Sequence, residues 1–370
     1  MLILCYFTDM KNPLYYIPFF VRIALFCCFF TPVGLLAQDN QPAGIPHASI
    51  QLLTTGPQAS APGTGAHRTS IRGLSAVSDK IVWVSGSNGT VGRSVDGGAT
   101  WTWLTVPGFE KRDFRDIEAF DEKTAVIIAI AEPADILKTT DGGKTWKLVY
   151  ENKTVGMFMD AMEFWNHDSG IIVGDPIDGR FFVTRTFDGG DSWQDIPHAE
   201  LPKADSTEGC FATSGTNIRA LSPGEACFVS GGPLRSRLFI RDKAIDLPLL
   251  NGATSTGANS IAVKNPHTFI VVGGDFAKDT VQDKNCFLTL DGGATWIRPT
   301  TPPHGYRGCV EYINDSTVLS CGTSGVDIST DNGMNWNLIS SASFHVCRKA
   351  KKGKTVFLAG SNGRVAKLIF

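Results

Sequence analysis

The chain has 370 residues, a formal net charge of −2, 42% hydrophobic residues and 19% charged residues. High apolar content with so little net charge excludes a disordered chain, and the lack of a basic excess excludes nucleic acid as a partner. Glycine supplies 39 of the 370 residues without a three-residue period, which excludes a collagen-like rod and leaves many turns to be placed.

In chain order, the first segment stands apart. Lys11 and Arg22 flank an apolar stretch, 23–37 is apolar apart from the Thr31-Pro32 pair, and polar Gln38-Asp39-Asn40 follows. A charged start, a short apolar core and a small residue before a polar stretch read as a signal peptide over 1–37. The core is short for a span of about 20 residues and Pro32 interrupts it. The expectation is therefore export to the periplasm or the exterior, with no membrane span after cleavage. Met10, followed by Lys11 and Asn12, makes a more ordinary signal start than Met1, so 1–9 reads as an over-extended beginning.

The remainder, 38–370, reads as one domain of short strands. An apolar extended segment lies at 49–54, then runs at 71–77 and 81–85 separated by Ser78-Asp79. Next comes Ser94-Val95-Asp96-Gly97-Gly98-Ala99-Thr100-Trp101. The same string returns, with variation, around Asp141 and Trp146, Asp188 and Trp193, Asp291 and Trp296, and Asp331 and Trp336. Successive aspartates are 45, 47, 103 and 40 residues apart. The double-length gap marks a repeat that has lost its motif, with remains around 238–247. Each copy has the chemistry of a tight turn. The aspartate accepts backbone N–H groups, the glycines allow positive φ, the hydroxyls bond locally, and the tryptophan buries a large ring as the next strand begins.

This pattern is the Asp-box, or BNR, repeat. Over essentially the whole mature chain the sequence resembles the Asp-box β-propellers, which include sialidase-like domains, sortilin-like domains and the Ycf48/HCF136-like photosystem II assembly factors. The resemblance implies a structural role for the boxes. Four short strands per repeat of about 45 residues fit a propeller blade. The expected fold is all-β, a single seven-bladed propeller of four-stranded antiparallel blades. Inner strands are expected to begin near Ile71, Phe114, Phe158, Ile218, Ala258, Tyr306 and Phe344. The last repeat is one strand short, and 49–54 is expected to complete it, since an open ring would leave strand edges exposed.

Aligning those inner strands places Arg72, Arg115, Arg219 and Arg307 at one register, with Asp116 and Asp160 beside them. Arginine forks suit carboxylate or phosphate, so one reading is a cationic ring at a channel mouth. The other reading is a set of interblade ion pairs. The loop 174–180 adds Asp175, Asp178 and Arg180, and further polar or glycine-rich loops carry Glu208, Ser214, Thr216 and Asn217, Gly231 and Gly232, and Gly273 and Gly274. Cys210, Cys227, Cys286, Cys309, Cys321 and Cys347 follow no zinc or dithiol spacing and read as small buried hydrophobes. Cys309 and Cys321 are symmetric about Asp315 in an expected hairpin and could face each other.

No G-x-S-x-G, H-E-x-x-H, phosphate-binding or dinucleotide fingerprint is present, so no cofactor and no metal are expected. The Ycf48-like resemblance implies a non-catalytic scaffold that binds partner proteins. The expected function is an exported monomeric propeller that engages a protein or an anionic glycan through its arginine-rich face. The alternative is a secreted sialidase-like glycoside hydrolase. There the resemblance implies a tyrosine nucleophile activated by glutamate, for which Tyr306, Glu208, Asp116 and Asp160 are the candidates. Phe114-Arg115-Asp116-Ile117 lacks the proline of that family's N-terminal signature.

Overall fold

The computed structural model describes residues 48–56 and 69–370; the leader reading over 1–37 lies outside them. Seven antiparallel sheets form, six of four strands and one of three. Blades are numbered I to VII from their first strands: Ile71–Ala76, Phe114–Ala119, Met159–Phe164, Ile218–Ser222, Thr256–Asn265, Cys309–Tyr312 and Val346–Lys349. Each of these touches the first strand of the next blade, and the strand of blade VII touches that of blade I, so the first strands form a closed inner ring. Blade VII is completed from the other end of the chain, where Ser49–Thr54 pairs antiparallel with Val365–Ile369. Among the described residues no helix is long and apolar enough to cross a membrane.

The core lies between blades. Middle strands such as Val82–Gly86, Ala125–Ala129 and Val318–Gly322 are buried along their whole length, because sheets cover both their faces. They therefore read as continuous rather than alternating apolar runs. Trp83, Val77 and Val91 of blade I, for example, pack with Phe114, Ile117 and Leu137 of blade II.

All five Asp-Gly-Gly or Asp-Asn-Gly turns share one bonding scheme. In the second, the Thr139 hydroxyl donates to Asp141 Oδ1 at 2.9 Å and accepts Gly143 N–H at 3.0 Å. Asp141 also accepts the Thr145 N–H at 3.0 Å and the Thr145 hydroxyl at 2.6 Å. These bonds, with the Thr145 hydroxyl foremost, hold the Asp141 carboxyl down at about 2. Asp96, Asp188 and Asp291 are likewise lowered to about 2, and Asp331 is lowered. The repeat without the motif is blade IV, where Ser236–Ile240 and Lys243–Leu247 are joined through Arg241 at φ 55°. Blade V departs from four strands. After Trp296 its outer strand is reduced to a bridge between Leu288 and Ile297, and Pro299, Pro302 and Pro303 follow without the N–H that a ladder needs.

Candidate binding site at one mouth of the channel

Register decides which side chains reach the channel. Arg72 is bulged out between the pairs Ile71–Gly86 and Gly73–Ser85. Arg115, Asp160 and Asn259 occupy the corresponding bulges of blades II, III and V. Gly308 and His345 directly precede the first paired residues of blades VI and VII. Residues at this level are therefore Arg72, Arg115, Asp160, Asn259, Gly308 and His345.

Two of the four expected ring arginines are elsewhere. Arg307 stands one residue earlier, at the level of Ile71, and a slip of one residue reverses a side chain's direction. It is fully buried. Its Nε donates to Asp327 at 2.6 Å, Nη1 donates to Tyr306 O at 2.7 Å and Ser324 Oγ at 2.8 Å, and Nη2 donates to His304 O at 3.0 Å and to Asp327. All five guanidinium N–H bonds are thus used, which leaves none for a ligand. Arg219 is displaced further. Arg219 opposes Cys227 as Ser75 opposes Trp83, Glu163 opposes Ile171 and Glu311 opposes Leu319, so Arg219 lies toward the far end of the inner strand. There it pairs with Glu311 at 3.1 Å and Glu163 at 3.6 Å, and Arg348 approaches the same two carboxylates. These groups satisfy one another around a cavity of about 270 Å³ at the opposite mouth.

Blade IV is out of step because the segment 212–217 fills the channel. Thr213 O accepts Arg72 Nη1 at 3.3 Å from blade I, and the Thr213 hydroxyl donates to Asn259 at 3.0 Å in blade V. The Ser214 hydroxyl donates to Gly308 O at 2.8 Å in blade VI. Gly215, at φ +65°, lies against blade II so closely that a Cβ there would be 2.3 Å from the Asp116 carboxyl carbon.

Above this plug is a cup of about 400 Å³ lined by Arg72, Arg115, Phe158, Asp175, Phe211, Thr213, Phe276, Tyr306 and His345, among others. Arg115 pairs with Asp113 at 2.9 Å and lies over the Phe158 ring. Arg72 makes no ion pair among the described residues. Burial, and then repulsion from Arg115, lower its pKa. His345 is pushed down to about 3 by burial and by Arg72 and Arg115, so it is neutral, and its Nε2 lies 2.9 Å from Ser361 Oγ and 3.2 Å from Ser70 Oγ. Asp160 is wholly buried, and the N–H groups of Ala212 and Asp175 point toward it without good hydrogen-bond geometry. Burial and the neighbouring Asp175 raise it well above the usual carboxylate range. Burial raises Asp175 to about 6, against the pull of the Cys210 N–H at 2.8 Å.

A groove of about 540 Å³ shares Asp175, Cys210 and Phe211 with the cup and runs past Gly156, Gly179, Gly209, Gly231 and Gly232. Of the charged residues in loop 174–180, only Asp175 lines it. Asp178 is exposed at a hairpin tip at φ 49°, and Arg180 donates to Leu201 O. Glu208 borders the groove but is bound to Arg237, at 2.8 Å through Nε, and to the Asp205 N–H at 2.8 Å.

The four residues of the hydrolase reading are not assembled for that chemistry. The Tyr306 hydroxyl donates to Asn259 at 2.8 Å and burial pushes it up to about 12, whereas Glu208 is held by Arg237. Asp116 accepts the N–H groups of Ile117 and Met162, each at 2.8 Å, and so ties blade II to blade III. Phe158, Phe211, Phe276 and His345 add to the residues expected from the sequence. Phe158 and His345 stand in the aligned inner strands, but Phe211 and Phe276 lie on connections that carry no periodic signal.

No protein-family model matches the chain, and no curated protein matches it. Solved structures do. The chain is similar to a structure described as YCF48 bound to D1 peptide, at 17% identity and TM-score 0.59 over 82% of this chain and 92% of that one. It is similar to YCF48 from Cyanidioschyzon merolae at 16% identity and TM-score 0.56, over 84% and 98%. It also resembles the Neurospora crassa Pan2 WD40 domain at 11% identity and TM-score 0.58, over 84% and 93%. What these proteins share with this chain is the propeller fold.

Proposed function

We propose that the protein is an exported, non-catalytic binding propeller that captures a protein partner by receiving a carboxylate of that partner in the cup. The observation that carries this reading is Arg72, a largely buried guanidinium that faces a cavity and has no carboxylate of its own among the described residues. Around it, Phe158, Phe211, Phe276 and Tyr306 offer apolar contact to the stem of an acidic side chain or chain end. The glycine-lined groove gives an extended segment access to backbone groups. The similar YCF48 structure with a bound peptide supports a protein ligand over a glycan, and the Asp-box resemblance keeps the five turns structural.

The test is capture from the native envelope fraction by wild-type protein, Arg72→Glu and a surface control, Arg298→Glu. Loss of a charge-assisted bond of about 1.5–3 kcal/mol weakens binding by about tenfold to a hundredfold. Arg72→Glu is expected to lose the partner while Arg298→Glu keeps it. Equal capture by all three defeats the reading.

A further inference from the structure

Three of the six buried cysteines converge. Cys309 and Cys321 sit directly opposite each other on adjacent strands of blade VI, and Cys347 reaches them from blade VII. Their sulfurs all lie within 4.8 Å of one another, with Cys309 Sγ and Cys347 Sγ 3.7 Å apart. All three residues are fully buried. At the position of the Cys309–Cys321 pair, blade I carries Gly73 opposite Ser85, so the blade architecture does not itself call for thiols there.

We propose that Cys309, Cys321 and Cys347 form a three-thiolate site for a soft monovalent metal ion, of the class of copper(I). Metal–sulfur bonds of about 2.3 Å in a trigonal plane place sulfurs about 4 Å apart, which the cluster meets with small adjustments. Thiolates select soft ions. Zinc takes four ligands in a closed structural site, and among the described residues no fourth Cys, His, Asp or Glu joins this cluster. The Cys347 N–H donates to Cys309 Sγ at 3.4 Å, and the Thr216 hydroxyl donates to it at 3.5 Å, so that sulfur is already held by donors suited to a thiolate. Binding one monovalent ion converts three thiols to thiolates and releases three protons, leaving a site of net charge −2.

Because the sulfurs are sealed from solvent, the ion is loaded during folding. The experiment refolds the reduced full-length mature chain without oxygen in the presence of copper(I) held as a weak complex, then removes unbound metal. Native mass spectrometry and X-ray absorption are expected to show about one copper per chain with sulfur ligands only. Cys321→Ala and Cys347→Ala are expected to lose the ion, while Cys286→Ala, which removes a buried cysteine outside the cluster, retains it. If the variants fail to fold, the wild-type measurement still decides: refolded wild type without copper overturns the proposal. So does copper uptake that survives both cluster variants, or a disulfide between any two of the three in protein isolated under non-reducing conditions.

Discussion

Arg72 and Arg307 show how little separates a binding residue from a structural one. Both stand beside an aromatic or aliphatic residue at the start of an inner strand, and the sequence presents them alike. Arg72 occupies the bulge of its strand, whereas Arg307 stands one residue before Gly308, which holds the equivalent level, and that one-residue offset sends one to the cup and the other into the blade. Bulges follow from ladder geometry and leave no composition signal, so the arginines are legible in the sequence and their directions are not. Their energetics differ accordingly. Arg307→Ala leaves Asp327 buried without its main partner, and such losses cost about 3–5 kcal/mol. Arg72→Ala removes no ion pair and is expected to leave the urea midpoint nearly unchanged. A midpoint shift as large for Arg72 as for Arg307 contradicts this assignment.

Asp175 sets a second expectation at the same scale. The titratable groups at the cup are Arg72, Arg115 with its partner Asp113, Asp160 with its raised pKa, neutral His345, Tyr306, Cys210 and Asp175. Of these, Asp175 titrates at about 6. Below that pH it becomes neutral and the cup more positive, so binding of a carboxylate whose own pKa is about 4 is expected to tighten between pH 7 and pH 5. Asp175→Asn is expected to bind as tightly at pH 7 as wild type does at pH 5. A flat profile in wild type rules out the role given to Asp175.

At the scale of the element, the repeated turn is the most legible feature of the sequence. Its aspartate, hydroxyl and glycines form one local network, so the pattern survives in any context. Thr139, buried beneath its turn, donates to Asp141 and accepts Gly143 N–H. Thr139→Val is expected to cost about 1–3 kcal/mol by leaving that N–H without a partner, read from chemical denaturation. The aspartates also set acid sensitivity. The folded values of about 2 for four of them, Asp96, Asp141, Asp188 and Asp291, lie below the unfolded value of about 3.9. Their stabilisation is therefore fully present above about pH 4 and is lost as pH falls through about 2. Replacing all four by Asn is expected to flatten the fall in stability across that window, and an unchanged fall means that other groups govern it. The outer strand of blade V is less legible. Its motif is intact, and only the prolines that follow indicate that the ladder stops.

The whole molecule closes on itself twice. Closure of the ring by Ser49–Thr54 can be read from the sequence, because counting strands leaves the last blade one short. Removing residues 1–56 is expected to expose Val365–Ile369 as an edge, seen as faster amide exchange there and a lower melting temperature; unchanged exchange contradicts the closing role. The second closure cannot be read in this way. The plug at 212–217 has no periodicity of its own and is defined only by contacts with blades that are distant in sequence. It turns the channel into a cup with a floor, and it displaces Arg219 to the opposite mouth. The fold thus follows from local repeats, whereas the candidate site depends on register and on one long-range insertion.

Receipt of a partner's carboxylate by Arg72 is tested most directly on a peptide array. Every sequence appears there with a free and with an amidated chain end, and with acidic and amide side chains, and is probed with wild-type and Arg72→Glu protein. Wild-type binding is predicted to depend on a carboxylate and to be lost in Arg72→Glu. Binding that ignores the carboxylate, or that persists in Arg72→Glu, contradicts the assignment.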